Sequence, residues 1–351
     1  MKVLVTGNMG YIGSVLVPIL IGRGYEVNGL DIGYYNDDCR LYEDERIPFA
    51  QIIKDIRDVT VNDVEGFDAV IHLAALSNDP LGELDPSLTE EINLNSTLKL
   101  AKAAKKSEVK RFIYSSSQSM YGVSDFEGEL DEEAPKNPVT AYARTKWDAE
   151  LGLKEMSSKD FAVVCFRPST VFGASPKLRC DIVYNNLVGC AFTTSKIEIK
   201  SDGTPWRPVV HIQDVCSAYI AGLEAPLSLV EGKSYNVGIK DGNYTVRDLA
   251  EAAQRVVSGS ALTFTGEHGA DSRTYKVSFK KILTELNDYF KPQWDLDRGG
   301  RELVDLFRKV DFTEDMFRGR MTNRLKQIDY MIASHVIDHD LRRVNEKGLD
   351  R

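Results

Sequence analysis

The sequence predicts an α/β fold, in which a doubly wound parallel sheet is joined to a smaller, interleaved lobe nearer the C-terminus. Short apolar runs alternate with longer helix-like segments through the first half of the chain, which is typical of βαβ units. After about Pro168 this rhythm gives way to Pro, Gly and Thr punctuation. At 351 residues the chain also exceeds the size at which one hydrophobic core usually stops growing, so two lobes are expected.

Two stretches of the chain have features of their own, and the remaining predicted strands and helices are given after them. A proline at position 18 lacks an N–H for the carbonyl of Ser14, so we expect it to kink the first helix or end its regular hydrogen bonding. The final stretch, 302–342, is charged and helix-prone. Predicted strands cover 3–5, 27–30, 69–73, 112–114, 162–166 and 234–237, and predicted helices cover 89–106, 140–156 and 245–257.

Composition excludes several classes of function. The chain is 42% hydrophobic and 28% charged with a formal charge of −9, which is ordinary for a soluble enzyme and unfavourable for binding nucleic acid or an anionic membrane. Its five cysteines form no CxxC pair, and we expect neither a disulfide framework nor a metal site. The N-terminus lacks the apolar stretch of a signal peptide, so a cytoplasmic location is expected.

A glycine-rich turn lies between the first predicted strand and the first predicted helix. Gly7, Gly10 and Gly13 form a GxxGxxG pattern that also contains Tyr11 and Ile12. Glycines here allow a tight turn and let a dinucleotide pyrophosphate approach backbone N–H groups at a helix N-terminus. The pattern predicts a Rossmann-type cofactor site.

Carboxylates after the next two apolar runs indicate which dinucleotide binds. Asp31 ends the second predicted strand, where it can accept hydrogen bonds from the adenosine ribose and repel a 2′-phosphate. This favours NAD over NADP, although a turn residue at a strand end is the alternative interpretation. Asp55 and Ile56 could hold the adenine by a hydrogen bond and an apolar contact.

The chain is predicted to form two lobes, one of which carries this cofactor site. We expect residues 1–170 to form the NAD-binding Rossmann domain, with 208–240 returning to it. Residues 171–207 and 241–351 are expected to form the substrate-binding lobe and a C-terminal helical segment.

Tyr142 and Lys146 stand four residues apart in a predicted helix. Positions i and i+4 share one helix face, so an ammonium group there can favour the phenolate and lower the tyrosine pKa. The pair can therefore make a phenol act as a base. A surface helix in which the tyrosine packs and the lysine is solvated is the alternative.

Six short motifs follow one another along most of the chain. They are TGNMGYIG (6–13), HLAA (72–75), SSSQSMYG (115–122), YARTK (142–146), RPSTVFG (167–173) and DGTPWRPVVH (202–211). Together they resemble the extended short-chain dehydrogenase/reductase family, in its nucleotide-sugar epimerase and dehydratase branch. The resemblance implies NAD as cofactor, Tyr142 as catalytic acid/base, Lys146 as its partner that also binds the nicotinamide ribose, and Ser117 as the hydroxyl of a catalytic triad.

The same resemblance implies further site residues. Arginines are expected at the substrate diphosphate, because a guanidinium binds phosphate through two parallel hydrogen bonds. Asn93 is expected to support the backbone of the site. The implied cofactor-site residues are Leu73, Ala74, Ala75, Asn93 and Pro168, and the implied substrate-binding residues are Ser77, Gln118, Ser119, Thr170, Arg207 and Arg273.

The residues after Ser117 indicate which reaction follows the first hydride transfer. Family dehydratases carry a carboxylate there, whereas this chain has Gln118 and Ser119, and an amide cannot remove a proton from carbon. We therefore expect an epimerase that inverts C4 of a nucleotide-diphosphate sugar. A dehydratase of unusual type, such as a 5,6-eliminating one, a reductase and a non-catalytic NAD(P)-binding sensor are the alternatives. Relatives imply a homodimer formed through the helices at 89–106 and 140–156.

Overall fold

A computed structural model describes residues 1–42, 49–77, 79–122, 128–266 and 274–344 of the chain. Within these ranges the strands are β1 (Lys2–Thr6), β2 (Glu26–Asp31), β3 (Ala50–Ile53), β4 (Ala69–His72), β5 (Arg111–Ser115), β6 (Glu129–Leu130), β7 (Ala162–Pro168), β8 (Thr170–Phe172), β9 (Lys196–Ile199), β10 (Trp206–His211), β11 (Lys233–Val237), β12 (Asn243–Thr245), β13 (Ala261–Phe264) and β14 (Lys276–Val277).

The helices of the same ranges flank and follow these strands. They are α1 (Gly13–Gly22), α2 (Asp79–Gly82), α3 (Pro86–Glu90), α4 (Ser96–Lys106), α5 (Ala141–Met156), α6 (Val183–Thr194), α7 (Ile212–Glu224), α8 (Leu227–Val230), α9 (Val246–Val256), α10 (Lys280–Glu285), α11 (Leu296–Lys309), α12 (Glu314–Arg318) and α13 (Arg324–Ala333). None of the helices in the described ranges is both long and apolar enough to cross a membrane.

Seven parallel strands form the central sheet, in the order β11-β7-β5-β4-β1-β2-β3. Alternate residues of each strand face opposite sides, so Val3 and Val5 of β1 enter one core cluster and Leu4 enters the other. Helices α1 and α7 supply apolar side chains to the first cluster, and α4 and α5 supply them to the second. The predicted α/β fold with a doubly wound parallel sheet is confirmed.

The sheet order changes direction at β1, which lies between β2 and β4. In open α/β sheets a crevice forms at such a point, outside the carboxyl ends of the strands. The second part of the chain adds a three-stranded sheet, β12-β10-β8, and the pairs β13-β9 and β14-β6.

Two local predictions can be compared with the structure. Helix α1 continues past Pro18 to Gly22, so the helix does not stop at the proline, and the predicted kink stays a prediction. The helix predicted over 89–106 is divided into α3, a π-helical stretch at Glu91–Asn95, and α4. Within that stretch the Asn93 side chain bonds to the backbone of Leu76, a tertiary contact that helical periodicity cannot signal.

Candidate active site

A cavity of about 670 Å³ lies at the carboxyl ends of the central strands. Side chains from both parts of the chain line it, including residues of the glycine turn and of the N-terminal turn of α5. Among the predicted site residues, those that line the cavity are Gly7, Gly10, Tyr11, Ile12, Gly13, Asp31, Asp55, Ile56, Leu73, Ala74, Ala75, Ser77, Ser117, Gln118, Ser119, Tyr142, Lys146, Pro168, Thr170 and Arg207.

The glycine turn is packed so closely that side chains cannot be added to it. Gly7 has a φ of +71°, and a Cβ at this position would lie 2.6 Å from the backbone nitrogen of Ala74. A Cβ on Gly13 would lie 2.4 Å from the carbonyl oxygen of Gly7. The N-terminus of α1 therefore meets the cavity as bare backbone, which fits the pyrophosphate of a dinucleotide.

Tyr11 contributes backbone rather than its side chain to this turn. Its hydroxyl donates to the carbonyl of Gly173 at 2.8 Å and accepts from the amide of Asn185 at 3.1 Å. Burial raises the pKa of Tyr11 far above its usual range, so the phenol stays neutral. These bonds attach the start of α1 to the segments that follow β8.

The carboxylate of Asp31 closes the turn from the end of β2. It accepts from the backbone N–H of Met9 at 3.0 Å and from that of Gly33 at 2.8 Å. Burial raises the pKa of this carboxyl, although both hydrogen bonds oppose the rise. Each oxygen keeps a further lone pair, so the carboxylate remains able to accept a ribose hydroxyl.

Asp55 is more constrained than the sequence suggested. Its carboxylate lies 2.6 Å from Nη2 of Arg57 and 3.2 Å from Nη1 of Arg342. An adenine that bonds to Asp55 would share the carboxylate with these two cations. Ile56, the next residue, is buried and lines the cavity beside it.

Tyr142, Lys146 and Ser117 converge at the other end of the cavity. Thr140 caps α5 by accepting from the N–H of Ala143 at 3.1 Å, which starts the helix just before Tyr142. The hydroxyl of Ser117 lies near enough to the Tyr142 side chain to oppose a rise in its pKa, and its Oγ atom is 2.9 Å from that of Ser119. The Nζ atom of Lys146 donates to the carbonyl of Ser115 at 2.8 Å.

The expected lowering of the Tyr142 pKa by Lys146 is not what the structure gives. Burial raises the pKa of Tyr142, while the nearby hydroxyl of Ser117 and the charge of Arg179 oppose that rise and Asp79 adds to it. Burial also lowers the pKa of Lys146 to about 7, so much of its charge is lost near neutral pH. The pKa of Lys146 is lowered because its ammonium group is enclosed, with Ser115 and the ring of Tyr114 as neighbours. The ring centroid is 4.8 Å from Nζ.

Three of the predicted site residues differ from the others, either in what their side chains contact or in lying outside the described part of the chain. The amide of Gln118 donates to the carbonyl of Arg167 at 2.9 Å and accepts from the hydroxyl of Ser169 at 3.1 Å, so it joins β7 although it also lines the cavity. Asn93 does not line the cavity and instead holds the loop after β4, since its side chain bonds both backbone groups of Leu76. Arg273 lies outside the described residues.

Charged side chains that were not predicted also line the cavity. Arg179 is 7% exposed, pairs with Asp181 at 2.8 Å and donates to the hydroxyl of Ser77 at 3.0 Å. Asp79 accepts from the hydroxyl of Thr140 at 2.7 Å. The spacing of Arg179 and Asp181 could have suggested an ion pair, but Arg324, from the C-terminal segment, has no comparable local signal.

The parallel sheet, the glycine turn at α1 and a lysine-tyrosine pair on α5 define a dinucleotide-dependent enzyme of the short-chain dehydrogenase/reductase type. A family model described as the NAD dependent epimerase/dehydratase family matches residues 3–238, and the chain belongs to this family. The prediction of NAD as the cofactor is thereby confirmed, as is the family resemblance.

Individual relatives are distant and cover most of the chain. The chain is 28% identical over 342 residues to a UDP-glucose 4-epimerase of Bacillus subtilis (strain 168). The alignment covers 86% of this chain and 94% of the relative. A solved UDP-glucuronic acid 4-epimerase from Bacillus cereus, in complex with UDP-glucuronic acid and NAD, is 25% identical with a TM-score of 0.73, covering 88% of this chain and 100% of that one. A solved dTDP-glucose 4,6-dehydratase from Streptomyces venezuelae is also 25% identical with a TM-score of 0.73, covering 90% and 100%. Epimerases and dehydratases are thus both among its relatives.

Proposed function

We propose that this protein is an NAD-dependent nucleotide-sugar epimerase that inverts C4. The observation that carries the proposal is the group after Ser117. Ser117 lies beside Tyr142, whereas the adjacent Gln118 is an amide that is already bonded to Arg167 and Ser169. This end of the cavity supports oxidation of a hydroxyl, but Gln118 and Ser119 provide no carboxylate that could remove a second proton.

The roles of the side chains follow from their positions. Bound NAD supplies the acceptor for a hydride and then its donor. Tyr142 takes the proton of the sugar 4-hydroxyl as a keto-sugar forms, and Ser117 orients that hydroxyl and the phenol together. When the keto-sugar has turned its other face, Tyr142 returns the proton. The pKa of Tyr142, raised by burial, favours this return step, and the nearby hydroxyl of Ser117 assists the removal.

The substrate is proposed to be a nucleotide-diphosphate sugar. Arg207 of β10 lines the cavity, and a guanidinium suits a diphosphate. Ser77, Ser119 and Thr170 add hydroxyl groups to the lining, which suit the hydroxyls of a sugar. The UDP-sugar epimerases among the relatives support a uridine nucleotide.

The lobe assignment and the homodimer belong to the same proposal. Arg207 of β10 reaches the cavity from the segment proposed for the substrate-binding lobe. The homodimer is proposed to form through the helices at 89–106 and 140–156, the second of which is α5 in the structure.

Substituting Tyr142 by phenylalanine tests the proposed chemistry. We expect Tyr142→Phe to lower kcat by about 10²- to 10⁴-fold, because it removes the proton-transfer group, while NAD stays bound. Products from a panel of UDP-, GDP-, CDP- and dTDP-sugars are resolved by NMR, without added cofactor. Tyr25→Phe is the matched control, since its phenol bonds to Glu224 at 3.0 Å and does not line the cavity. Turnover by Tyr142→Phe at the wild-type rate would contradict the mechanism.

Asp79 favours a second candidate function, an elimination of water from the sugar. Its carboxylate lines the cavity and acts electrostatically on Tyr142, so it lies where a second acid/base group is needed. Mass spectrometry separates the two reactions, since an epimer keeps the substrate mass and a dehydrated product loses one water. A dehydrated product that disappears in Asp79→Asn would establish elimination in place of epimerisation.

A further inference from the structure

The C-terminal segment places a buried arginine at the cofactor cavity. Arg324 is the first residue of α13, is 1% exposed and lines the cavity. Its Nη2 atom donates to the carbonyl of Lys177 at 2.5 Å, and its guanidinium lies 4.5 Å from the ring centroid of Tyr35. Its Nη1 atom is buried and has no hydrogen-bond partner within the described part of the chain. A buried N–H without an acceptor is costly, and a ligand that supplies the acceptor removes that cost.

Arg324 and Arg179 form a cluster of buried cations. The carboxylate of Asp181 accepts from the side chain of Arg179 at 2.8 Å and from the backbone N–H of Arg324 at 3.4 Å. Burial, and then the charge of Arg179, lower the pKa of Arg324 below its ordinary value. Two buried cations that repel each other are stabilised by a further anion.

The neighbours of the cluster locate it over the middle of the cofactor groove. Arg179 donates to the hydroxyl of Ser77, in the segment after β4, at 3.0 Å. Its charge also opposes the burial-driven rise in the pKa of Tyr35 after β2 and of Tyr142 on α5. Arg324 packs against the same Tyr35. The cluster thus lies between the end of β2, where the adenosine ribose is expected, and Tyr142, where the nicotinamide is expected.

A dinucleotide carries its pyrophosphate at this midpoint. The N-terminus of α1 faces the cavity with backbone N–H groups, and these bind one side of a pyrophosphate. We propose that Arg324, with Arg179 beside it, binds the opposite side of the cofactor pyrophosphate, so that the C-terminal segment retains NAD. Arg207 on β10 is left to the diphosphate of the substrate. The inference rests on NAD binding and not on which sugar reaction follows.

The residues after α13 hold this segment against the adenosine end of the groove. The hydroxyl of Tyr34 and Nη2 of Arg57 both donate to the carbonyl of Leu341. Arg343 donates to the carbonyl of Ile32 at 2.9 Å and to that of Gly33 at 3.1 Å. The loop after β2 is therefore tied to the same segment that carries Arg324, which gives the guanidinium a fixed position.

Arg324→Gln tests the proposal by NAD binding, without any sugar substrate. Loss of one charge-assisted contact predicts an NAD Kd raised by about 10- to 100-fold, and less NAD retained through gel filtration. Arg318→Gln is the matched control, because that arginine is 57% exposed, pairs with Glu314 and does not line the cavity. It is expected to retain NAD as the wild type does.

Ligand fragments separate a pyrophosphate contact from a general structural role. Arg324→Gln is expected to weaken the binding of ADP-ribose as much as that of NAD and to leave adenosine binding unchanged. If Arg324→Gln weakened the binding of UDP but retained NAD like the wild type, the arginine would contact the substrate and the proposal would be overturned. If it weakened the binding of adenosine as much as that of NAD, its role would be structural and the proposal would equally be overturned. Should Arg324→Gln not fold, Arg324→Lys keeps the charge without the fork geometry. It is expected to raise the Kd by about 3- to 10-fold, and an unchanged Kd would equally refute the proposal.

Discussion

Replacing Lys146 by methionine tests how strongly the cavity opposes a buried ammonium group. The side chain is 4% exposed, and burial lowers its pKa from an ordinary 10.5 to about 7. Between these pH values the unfolded chain holds a proton that the folded chain has released. The free energy of unfolding of the wild type therefore rises with pH from about 7 to about 10.5, where the contribution of this group levels off.

The pKa difference sets the size of the effect. At about 1.36 kcal/mol for each pH unit, the full difference corresponds to about 5 kcal/mol of destabilisation at low pH. Lys146→Met removes this cost together with the hydrogen bond to Ser115, which is worth about 1 kcal/mol. We expect the variant to be more stable than the wild type at pH 7, and its advantage to shrink by about 2 kcal/mol between pH 7 and pH 9.

Urea unfolding of the NAD-free proteins across this pH range measures the effect. Other groups titrate there too, but they are common to both proteins and cancel in the difference between variant and wild type. Lys102→Met serves as the control, because Lys102 is exposed on α4 and its removal is expected to leave the pH dependence unchanged. Parallel stability curves for Lys146→Met and the wild type would refute the claim that the folded state disfavours the ammonium.

Two further substitutions test the residues around the catalytic end of the cavity. Glu150→Gln leaves the buried guanidinium of Arg167, 2.5 Å from the carboxylate in the wild type, without its counter-charge, and we expect about 3–5 kcal/mol less stability in urea unfolding. An unchanged urea midpoint would contradict the role of this pair. Gln118→Glu turns a donor that lies 2.9 Å from the carbonyl of Arg167 into an acceptor, so about 1–3 kcal/mol of stability should be lost. A dehydrated product in mass spectra of Gln118→Glu would show instead that the new carboxylate reaches the substrate.

The glycine turn was predictable from the sequence because its constraints are local. Gly7 needs a positive φ of +71°, and a Cβ on Gly13 would clash with the backbone of Gly7 and Asn8 in the same turn. The apolar run of the strand before the turn, at 3–5, is also read directly from the sequence. Tyr142 and Lys146 were predictable for the same reason, since helical spacing alone places them on one face. Ser117 required the family resemblance, because only the packing of two separate elements brings it beside Tyr142.

The cation cluster was not predictable because tertiary packing alone creates it. Lys177 and Arg324 are 147 residues apart in sequence, and neither stands in a motif that indicates a ligand. The pKa of Tyr142 was misjudged for a related reason. The spacing of four residues showed that Lys146 lies near Tyr142. It could not show that burial favours the neutral form of Lys146, or that Arg179 is the cation that acts on Tyr142.

The bonds of the loop after β2 to Leu341 also constrain the order in which the protein is made. Tyr34 and Leu341 are 307 residues apart, and the glycine turn lies still earlier in the chain. A ribosome that adds about 5–20 residues each second exposes the N-terminal strands well before the C-terminal segment exists. The adenosine end of the groove is thus completed only after Leu341 has been made, so a nascent chain cannot enclose a dinucleotide there before that segment has emerged.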